Sequence, residues 1–479
     1  SHQDPGAWAG CVLRTVGGVF ALVSEDKWDK MKRLLREMES RLDTIPDALP
    51  RHRLTVIRGF LNYVTQTYHY MIPYLNGMHI TIDGWRGNRD PDGWKLPASK
   101  LRQRDNARSP EERAREKEVE VEVPLVVKAK PRLYTDIAAL LALSEADSPP
   151  WRLVRPKHTA TVTYGFGDAS GSAYGGASQV AGAERFHFQF GQWTARVSEE
   201  ESSNWREFTN LVEYLEERGD EGMLDDGEVF MFTDNSTAEG AFSKGTSPSP
   251  KLCGLVLRLR MLEMRTGMIL HIIHVSGKRM IASGIDGLSR GDHSSGVMQG
   301  EALETFVPVH QSAVERSPTL LPWLHSILEG HEAKFLTPEG WFDETGSEGT
   351  FVWSPAPAAA DVVVERLGIA RHKRPNSLHL VVVPRLMTGY WRKALLKVAD
   401  CYCRIDSRFL WDMEVQFEPL LIFFCLPFLP HRPNFEKRAS DCEGLRGILL
   451  GEGVPAADSP LSGDRLRELL HGARAVSCL

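Results

Sequence analysis

The stretch "TYGFGDASGSAYGGA", residues 163–177, sets one aspartate, Asp168, inside what otherwise reads as two strands and a turn. Thr161, Val162, Thr163 and Tyr164 favour an extended chain, Ser170 and Gly171 make a turn, and small residues follow it. An aspartate is disfavoured in a strand, and burying its charge without a partner costs free energy. Taken alone it reads as a turn residue closing a strand. Its other reading is a metal ligand, which needs further carboxylates to arrive from elsewhere in the chain.

Residues 156–295, around Asp168, are the most regular part of the sequence. Three strand-like runs, at about 159–167, 172–180 and 185–193, lie close enough for an antiparallel meander. A helix is expected at about 203–218, with Trp205, Phe208, Leu211, Val212 and Leu215 facing inward. "EVFMFT" (228–233) reads as a buried strand, followed by a short helix from 235. Ser249 and Pro250 open another helix that Gly267 ends, and "MILHIIHV" (268–275) is the last strand. The order βββαβααβ predicts an α/β fold, a mixed sheet with helices over it.

Three more acids enter this pattern. "WREF" places Glu207 in the first turns of its helix, four residues before core-facing Leu211, so its carboxylate sits at the rim of the buried face. "FMFTDNS" ends a strand at Asp234, where a strand running into a helix commonly displays functional groups. "SGIDGLSR" supplies Asp286 just beyond the last strand. Singly, Glu207 reads as a solvated helix residue, Asp234 as an N-cap and Asp286 as a helix cap. Their joint arrival in this order favours a carboxylate set.

The bulk numbers bound the rest. A chain of 479 residues should form about two to four domains. With a net charge of −6, any nucleic-acid binding must rest on local basic patches. Seven cysteines, an odd count without CxxC spacing, argue against a disulfide framework and a zinc site. A reducing compartment is expected, cytoplasmic or nuclear. No apolar run approaches the roughly 20 residues that span a bilayer, so no membrane partner is expected. The greasiest stretch, "PLLIFFCLPFLP" (419–430), is a buried core segment or a partner-facing patch. With no initiator Met and no leader pattern, the chain reads as cut from something longer.

Outside 156–295 the patterns are plainer. In residues 1–83, "AWAGCVLRTVGGVFALVS" reads as a hairpin turning at Gly17-Gly18. Two amphipathic helices follow, striped by Trp28, Met31, Leu35, Met38 and Leu42, then by Leu54, Ile57, Leu61 and Val64. Residues 84–155 read as a charged connector holding "RQRDNARSPEERAREKEVEVEV" and a short helix around 133–143. Residues 296–360 read as a linker. Residues 361–440 form a small basic α/β region, with "LHLVVVP" as a strand and "YWRKALLKVAD" as a helix, and 441–479 a loosely structured tail.

"GDASGSAYGG", "SSNWREFTNLVEYLE", "FTDNSTAEGAF" and "HVSGKRMIASGIDGLSRG" together resemble the type 1 ribonuclease H domain carried by retrotransposon polyproteins. The glycine-rich approach to the last acid and the "DGLSR" ending look most like DIRS-type elements. "VIRGFLNYVTQTYHYMIPYLNGM" resembles the thumb and connection segment after a reverse-transcriptase palm, which makes residues 1–83 a palm-end, thumb and connection-like remnant. "ERLGIARHKRPNSLHLVVVPRLMTGYWRKALLK" resembles the segment after the nuclease in the same elements. The chain has no aromatic-x-Asp-Asp polymerase motif, so a palm domain absent from it is expected as a partner.

The resemblance implies a ribonuclease H-like fold with a mixed five-stranded sheet, and an enzyme that hydrolyses the RNA strand of RNA/DNA hybrids. Two Mg²⁺ ions about 4 Å apart would serve, Mn²⁺ being able to substitute. Asp168 would bridge both ions, Glu207 and Asp234 would hold the one near the leaving 3′ oxygen, and Asp286 the one that activates water. His274, which otherwise reads as a packed structural residue, would assist proton transfer or product release. Products would be a 5′-phosphate and a 3′-hydroxyl. Ser170, Gly171, Asn204 and Asn235 lie beside the acids and could reach 2′-hydroxyls, though each also reads as a turn or cap residue. Only Lys244 is basic between Asp234 and the helix at 250, so grip on a hybrid would depend on neighbours. One candidate is the set Arg366, Arg371, Lys373, Arg374, Arg385, Arg392, Lys393 and Lys397, which otherwise reads as a solvated face. Two alternatives stand beside this one. An inactive descendant would keep the fold as a scaffold or nucleic-acid-binding module. A transposase or integrase would use clustered carboxylates on the same fold, but the "TDN" strand end and the acid on the helix after three strands speak against it.

Overall fold

The stripe Trp28, Met31, Leu35, Met38 and Leu42 forms the buried face of the helix Glu25–Thr44, as its spacing requires. The computed structural model describes residues 6–8, 11–15, 18–106, 123–156, 161–307, 333–336, 348–355, 360–384, 395, 398–399, 401–405 and 420–425. The chain divides into two compact units. One comprises Ser1–Ala160, Leu215–Gly227 and Lys244–Ile269, the other Thr161–Tyr214, Glu228–Ser243 and Leu270–Leu479.

In the first unit, β1 (Gly6–Trp8), β2 (Cys11–Arg14) and β3 (Gly18–Val23) run antiparallel. β4 (Leu49–Pro50) pairs with β5 (Val126–Val127), and β6 (Arg152–Pro156) adds to the free side of β3. The expected hairpin is β2–β3. The second stripe, Leu54, Ile57, Leu61 and Val64, is buried on the helix Arg51–Thr67. The stretch read as a charged connector does more than connect. Its helix Pro131–Leu143 buries Leu133, Ile137, Leu140 and Leu143 in this unit's core, and β6 completes the sheet. Asp136 on that helix is buried, accepting from the Gly77 amide (2.7 Å) and paired with Arg132 (2.6 Å). The run at 107–122 lies outside the described residues. Ser249 caps the helix Pro250–Thr266 by accepting from the Leu252 amide, and Gly267 ends it in the left-handed conformation.

The second unit holds β7 (Val162–Ala169), β8 (Ala173–Val180), β9 (Phe186–Gln192), β10 (Glu228–Thr233) and β11 (Ile269–His274), in the sheet order β11-β10-β7-β8-β9. β7, β8 and β9 form the antiparallel meander, and β10 lies parallel to β7 with Phe230 opposite Tyr164. The sheet is therefore mixed, as expected. Every residue of β10 is buried, and its Glu228 accepts a hydrogen-bond contact of 2.9 Å with buried His271 of β11. Before the helix Ser203–Asp220 comes a separate short one, Ala195–Glu200, capped by Thr194. It buries no side chain, so it carries no hydrophobic stripe by which the sequence could reveal it.

The linker reading of 296–360 fails. Val297, Leu303 and Val307 are buried in the core of the second unit, and Leu303 N donates to the buried Gln179 side chain (3.0 Å). Two strands also lie in that range: β12 (Ala333–Leu336) and β13 (Thr350–Trp353). With β14 (Leu378–Pro384), β15 (Cys401–Ile405) and β16 (Leu420–Cys425) they make a second five-stranded sheet, ordered β12-β13-β14-β16-β15. Four-residue strands offer only two alternations of inward and outward side chains, too few to stand out among glycines and prolines. "PLLIFFCLPFLP" supplies β16, paired on both sides with Phe423 and Cys425 buried, so the core-segment reading holds for that part. One hydrophobic core runs from Tyr164 and Phe166 through Leu303 to Trp353, Val381 and Phe423. Arg371 and Arg374 are not on a solvated face: Arg371 donates to the Val398 carbonyl and Arg374 lies 5.0 Å from the Phe351 ring centre. Arg385, Arg392, Lys393, Lys397, most of "YWRKALLKVAD" and the tail at 441–479 lie outside the described residues. Among the described residues, no helix is long and apolar enough to cross a membrane.

Candidate active site

Asp168 is the penultimate residue of β7 and only 6% exposed. Its Oδ1 accepts from the Ala169 amide (2.8 Å) and its Oδ2 from the Ser289 hydroxyl (3.1 Å). The small residue facing it has a purpose. Gly175 on β8 is in register with Asp168, and a Cβ there would lie 2.9 Å from the Ser289 nitrogen. Without that side chain, the turn carrying Asp286 and Ser289 closes directly over the strand pair.

Glu207 projects half-buried from the helix Ser203–Asp220. Three residues on, buried Asn210 donates to the Asp168 carbonyl (3.0 Å) and the Gly175 carbonyl (2.9 Å). This amide ties the Glu207 helix to the strands at the level of Asp168. Asp234 follows β10 and is exposed, with Gly277 packed 3.5 Å from its Oδ2 as measured from an added Cβ. Asp286 sits in the short helix Ile285–Leu288. Gly284 before it has φ +82, and a Cβ there would meet the Ser295 carbonyl oxygen at 2.3 Å. The glycine-rich approach is thus a steric necessity: it lets the last acid turn back toward the sheet.

Three of the four carboxylates are raised, in part by the charge of others in the set. Burial first, then the Asp234 charge, push the Asp168 carboxyl up to about 6. Burial, then Asp234 and Asp168, push Glu207 up to about 7, opposed by its hydrogen bond from Asn235. Partial desolvation of its carboxylate also raises Asp234, with Asp286 adding to the effect, while its own backbone amide, His274 and Arg290 work against it. All four acids named from the sequence are therefore brought into mutual electrostatic reach.

The remaining residues sort by what they already hold. His274 ends β11 with its side chain exposed beside Asp234, and its amide donates to Glu239 (3.2 Å). Gly171 and Asn204 are exposed next to the acids. Ser170 holds the turn, accepting from the Ala173 amide (3.0 Å) with its one hydroxyl hydrogen in reach of the Ala173 and Ser289 carbonyls. Asn235 caps the helix Ser236–Lys244, accepting from the Thr237 and Ala238 amides (2.9 and 3.0 Å). Ser170 thus does what a turn residue does, while Asn235 both caps its helix and bonds the Glu207 carboxylate. Sequence reasoning did not single out Asn210, Ser289 or Arg290. Arg290 donates three bonds to Asp286: Nε to both carboxylate oxygens at 3.1 Å and a terminal nitrogen to Oδ1 at 2.9 Å. The "DGLSR" string held the last two, but only the turn shows where they point.

Carboxylates are hard oxygen donors of the kind Mg²⁺ and Mn²⁺ prefer, and a cluster that raises its own members' proton affinity is one a cation would relieve. In donor chemistry the set fits such ions. The geometry is not closed: among the described residues, no three His, Cys, Asp or Glu side chains converge tightly enough to hold a metal. The Arg290 fork on Asp286 is one physical reason, since it turns that carboxylate toward a guanidinium.

No protein-family model and no curated protein match the chain. Among solved structures it is similar to the N-terminal RNase H domain of Rv2228c from Mycobacterium tuberculosis, at 17% identity and a TM-score of 0.21, over 28% of this chain and 98% of that one. It is likewise similar to LC11-RNase H1 in complex with an RNA/DNA hybrid, at 17% identity and a TM-score of 0.22, over 28% and 95%. A foamy viral protease–reverse transcriptase in complex with dsDNA matches at 11% identity and a TM-score of 0.20, over 57% of this chain and 45% of that one. At such identities and TM-scores these likenesses add no weight to a function, which must rest on the carboxylates.

Proposed function

We propose that residues 161–307 are an endonuclease that hydrolyses the RNA strand of RNA/DNA hybrids. What supports this is the charge that Asp168, Glu207, Asp234 and Asp286, drawn from two strand ends, a helix and a post-strand turn, exert on one another, which with desolvation raises three of them. On the sequence motifs, the reading extends to a retrotransposon product of DIRS type. It would work with a reverse-transcriptase palm carried elsewhere, in the cytoplasm or nucleus.

Asp168, Glu207, Asp234 and Asp286 would hold two Mg²⁺ ions, or Mn²⁺ in their place. Such ions supply an activated water and neutralise charge on the leaving oxygen. The chain's own residues do the rest. Asn210 fixes the spacing between Asp168 and Glu207 through the backbone. Ser289 has one hydroxyl hydrogen and two acceptors in reach, Asp168 Oδ2 and the Asp286 carbonyl (2.9 Å), so it ties the turn of the last acid to the first acid or to itself, one at a time. His274, exposed beside Asp234, would assist proton transfer to the departing 3′ oxygen or product release. Water attacks phosphorus in line, the bond from phosphorus to the 3′ oxygen breaks, and a 5′-phosphate and a 3′-hydroxyl result. Exposed Gly171 and Asn204 are the residues free to meet the 2′-hydroxyls that distinguish RNA.

The test is cleavage of an end-labelled RNA/DNA hybrid in Mg²⁺ and in Mn²⁺, with Asp168→Asn as control. RNA-strand cuts that vanish in the variant and in EDTA are expected. Absence of cuts in both ions, from folded protein, would favour an inactive descendant kept as a nucleic-acid-binding scaffold. The Arg290 fork on Asp286 is the specific observation on that side.

A further inference from the structure

We propose that Arg290 is a built-in counter-cation of the carboxylate cluster, which holds Asp286 until a divalent cation displaces it. This rests on the metal-dependent reading above. The guanidinium makes three bonds to Asp286, and the charges of Asp168 and Asp234 also act on it, so it stands within the field of three of the four acids. In return it lowers the proton affinity of Asp234. A guanidinium cannot lose its proton, so it neutralises the cluster at any working pH.

Its exposure argues against a structural role. The Arg290 side chain is 63% exposed and its acid 26%, whereas the same four-residue spacing at Arg132–Asp136 buries the acid to 2%. An exposed pair of this kind contributes little, up to about a fivefold effect on an equilibrium. A divalent ion attracted by four carboxylates could overcome that. Asp286 would then be free to turn toward Asp168 and Asp234, and the donor set could close.

The test is Mn²⁺ binding to the full chain, followed by electron paramagnetic resonance and by calorimetry, for the wild type, Arg290→Ala and Arg290→Lys. Arg290→Ala should bind Mn²⁺ about fivefold more tightly, with Arg290→Lys between, because a lysine keeps the charge but not the fork. The gain should vanish when Asp286→Asn is combined with Arg290→Ala. Wild-type binding with unchanged or weaker binding by Arg290→Ala would overturn the counter-cation while leaving the metal centre intact. No Mn²⁺ bound by the folded wild type or by Arg290→Ala would overturn both.

Discussion

Asn210 donates its side-chain amide to two backbone carbonyls at once, those of Asp168 and Gly175, at 3.0 and 2.9 Å. The two acceptors face each other across β7 and β8, and the donor sits one helical turn from Glu207. One buried side chain therefore sets the separation between the first and second acids of the candidate site.

Asn210→Ala leaves both carbonyls buried without that donor. A loss of about 1–3 kcal/mol is expected in chemical denaturation. Hybrid cleavage at a temperature where the variant stays folded should fall as well, because Glu207 is no longer held to the level of Asp168. Full activity in a folded but destabilised variant would reduce Asn210 to a structural role.

The acids also make a pH prediction for the metal-free protein. Asp168 is raised from an ordinary 3.8 to about 6, so the folded state binds its proton more tightly than the unfolded chain does. Its contribution to stability is full below about pH 4 and is lost as pH rises through about 6. Glu207, raised to about 7, extends the window upward. His69 and buried His379, both lowered to about 3, act with the opposite sign, since they favour folding as pH rises through the ordinary histidine range. The comparison must therefore be between the wild type and Asp168→Asn in EDTA, where the histidines cancel. The variant should melt higher than the wild type at pH 8, and the gap should close at pH 4.

Gly284→Ala forces a side chain onto a residue with φ +82 and into the Ser295 carbonyl at 2.3 Å. A cost of about 1–2 kcal/mol from the backbone conformation alone is expected, with the clash in addition. Because Asp286 is two residues on, cleavage should fall further than melting suggests. Thermal melts alongside hybrid cleavage separate the two effects.

His274→Ala removes an exposed side chain at the end of β11, so its melting temperature should match the wild type. If the imidazole passes a proton in the rate-limiting step, turnover should fall by about a hundredfold with hybrid affinity unchanged. An unaltered rate across pH would remove His274 from the mechanism.

The sequence by itself determined which elements carry the four acids. Strand and helix periodicities are local, so Asp168, Glu207, Asp234 and Asp286 could be placed at strand ends, on a helix and after the last strand from their neighbours alone. The glycine-rich approach to the last acid was visible too, but not that Gly284 turns the chain back against Ser295. Only the tertiary structure decided the contacts that cross the chain. Asn210 reads as one more polar helix residue until β7 and β8 are brought beneath it. Even the local pair Arg290–Asp286, four residues apart, is fixed only once the turn directs the guanidinium onto that carboxylate. The same reason explains β12 and β13: strands of four residues draw their stability from the partners beside them, and no pattern within four residues can announce a partner many residues away.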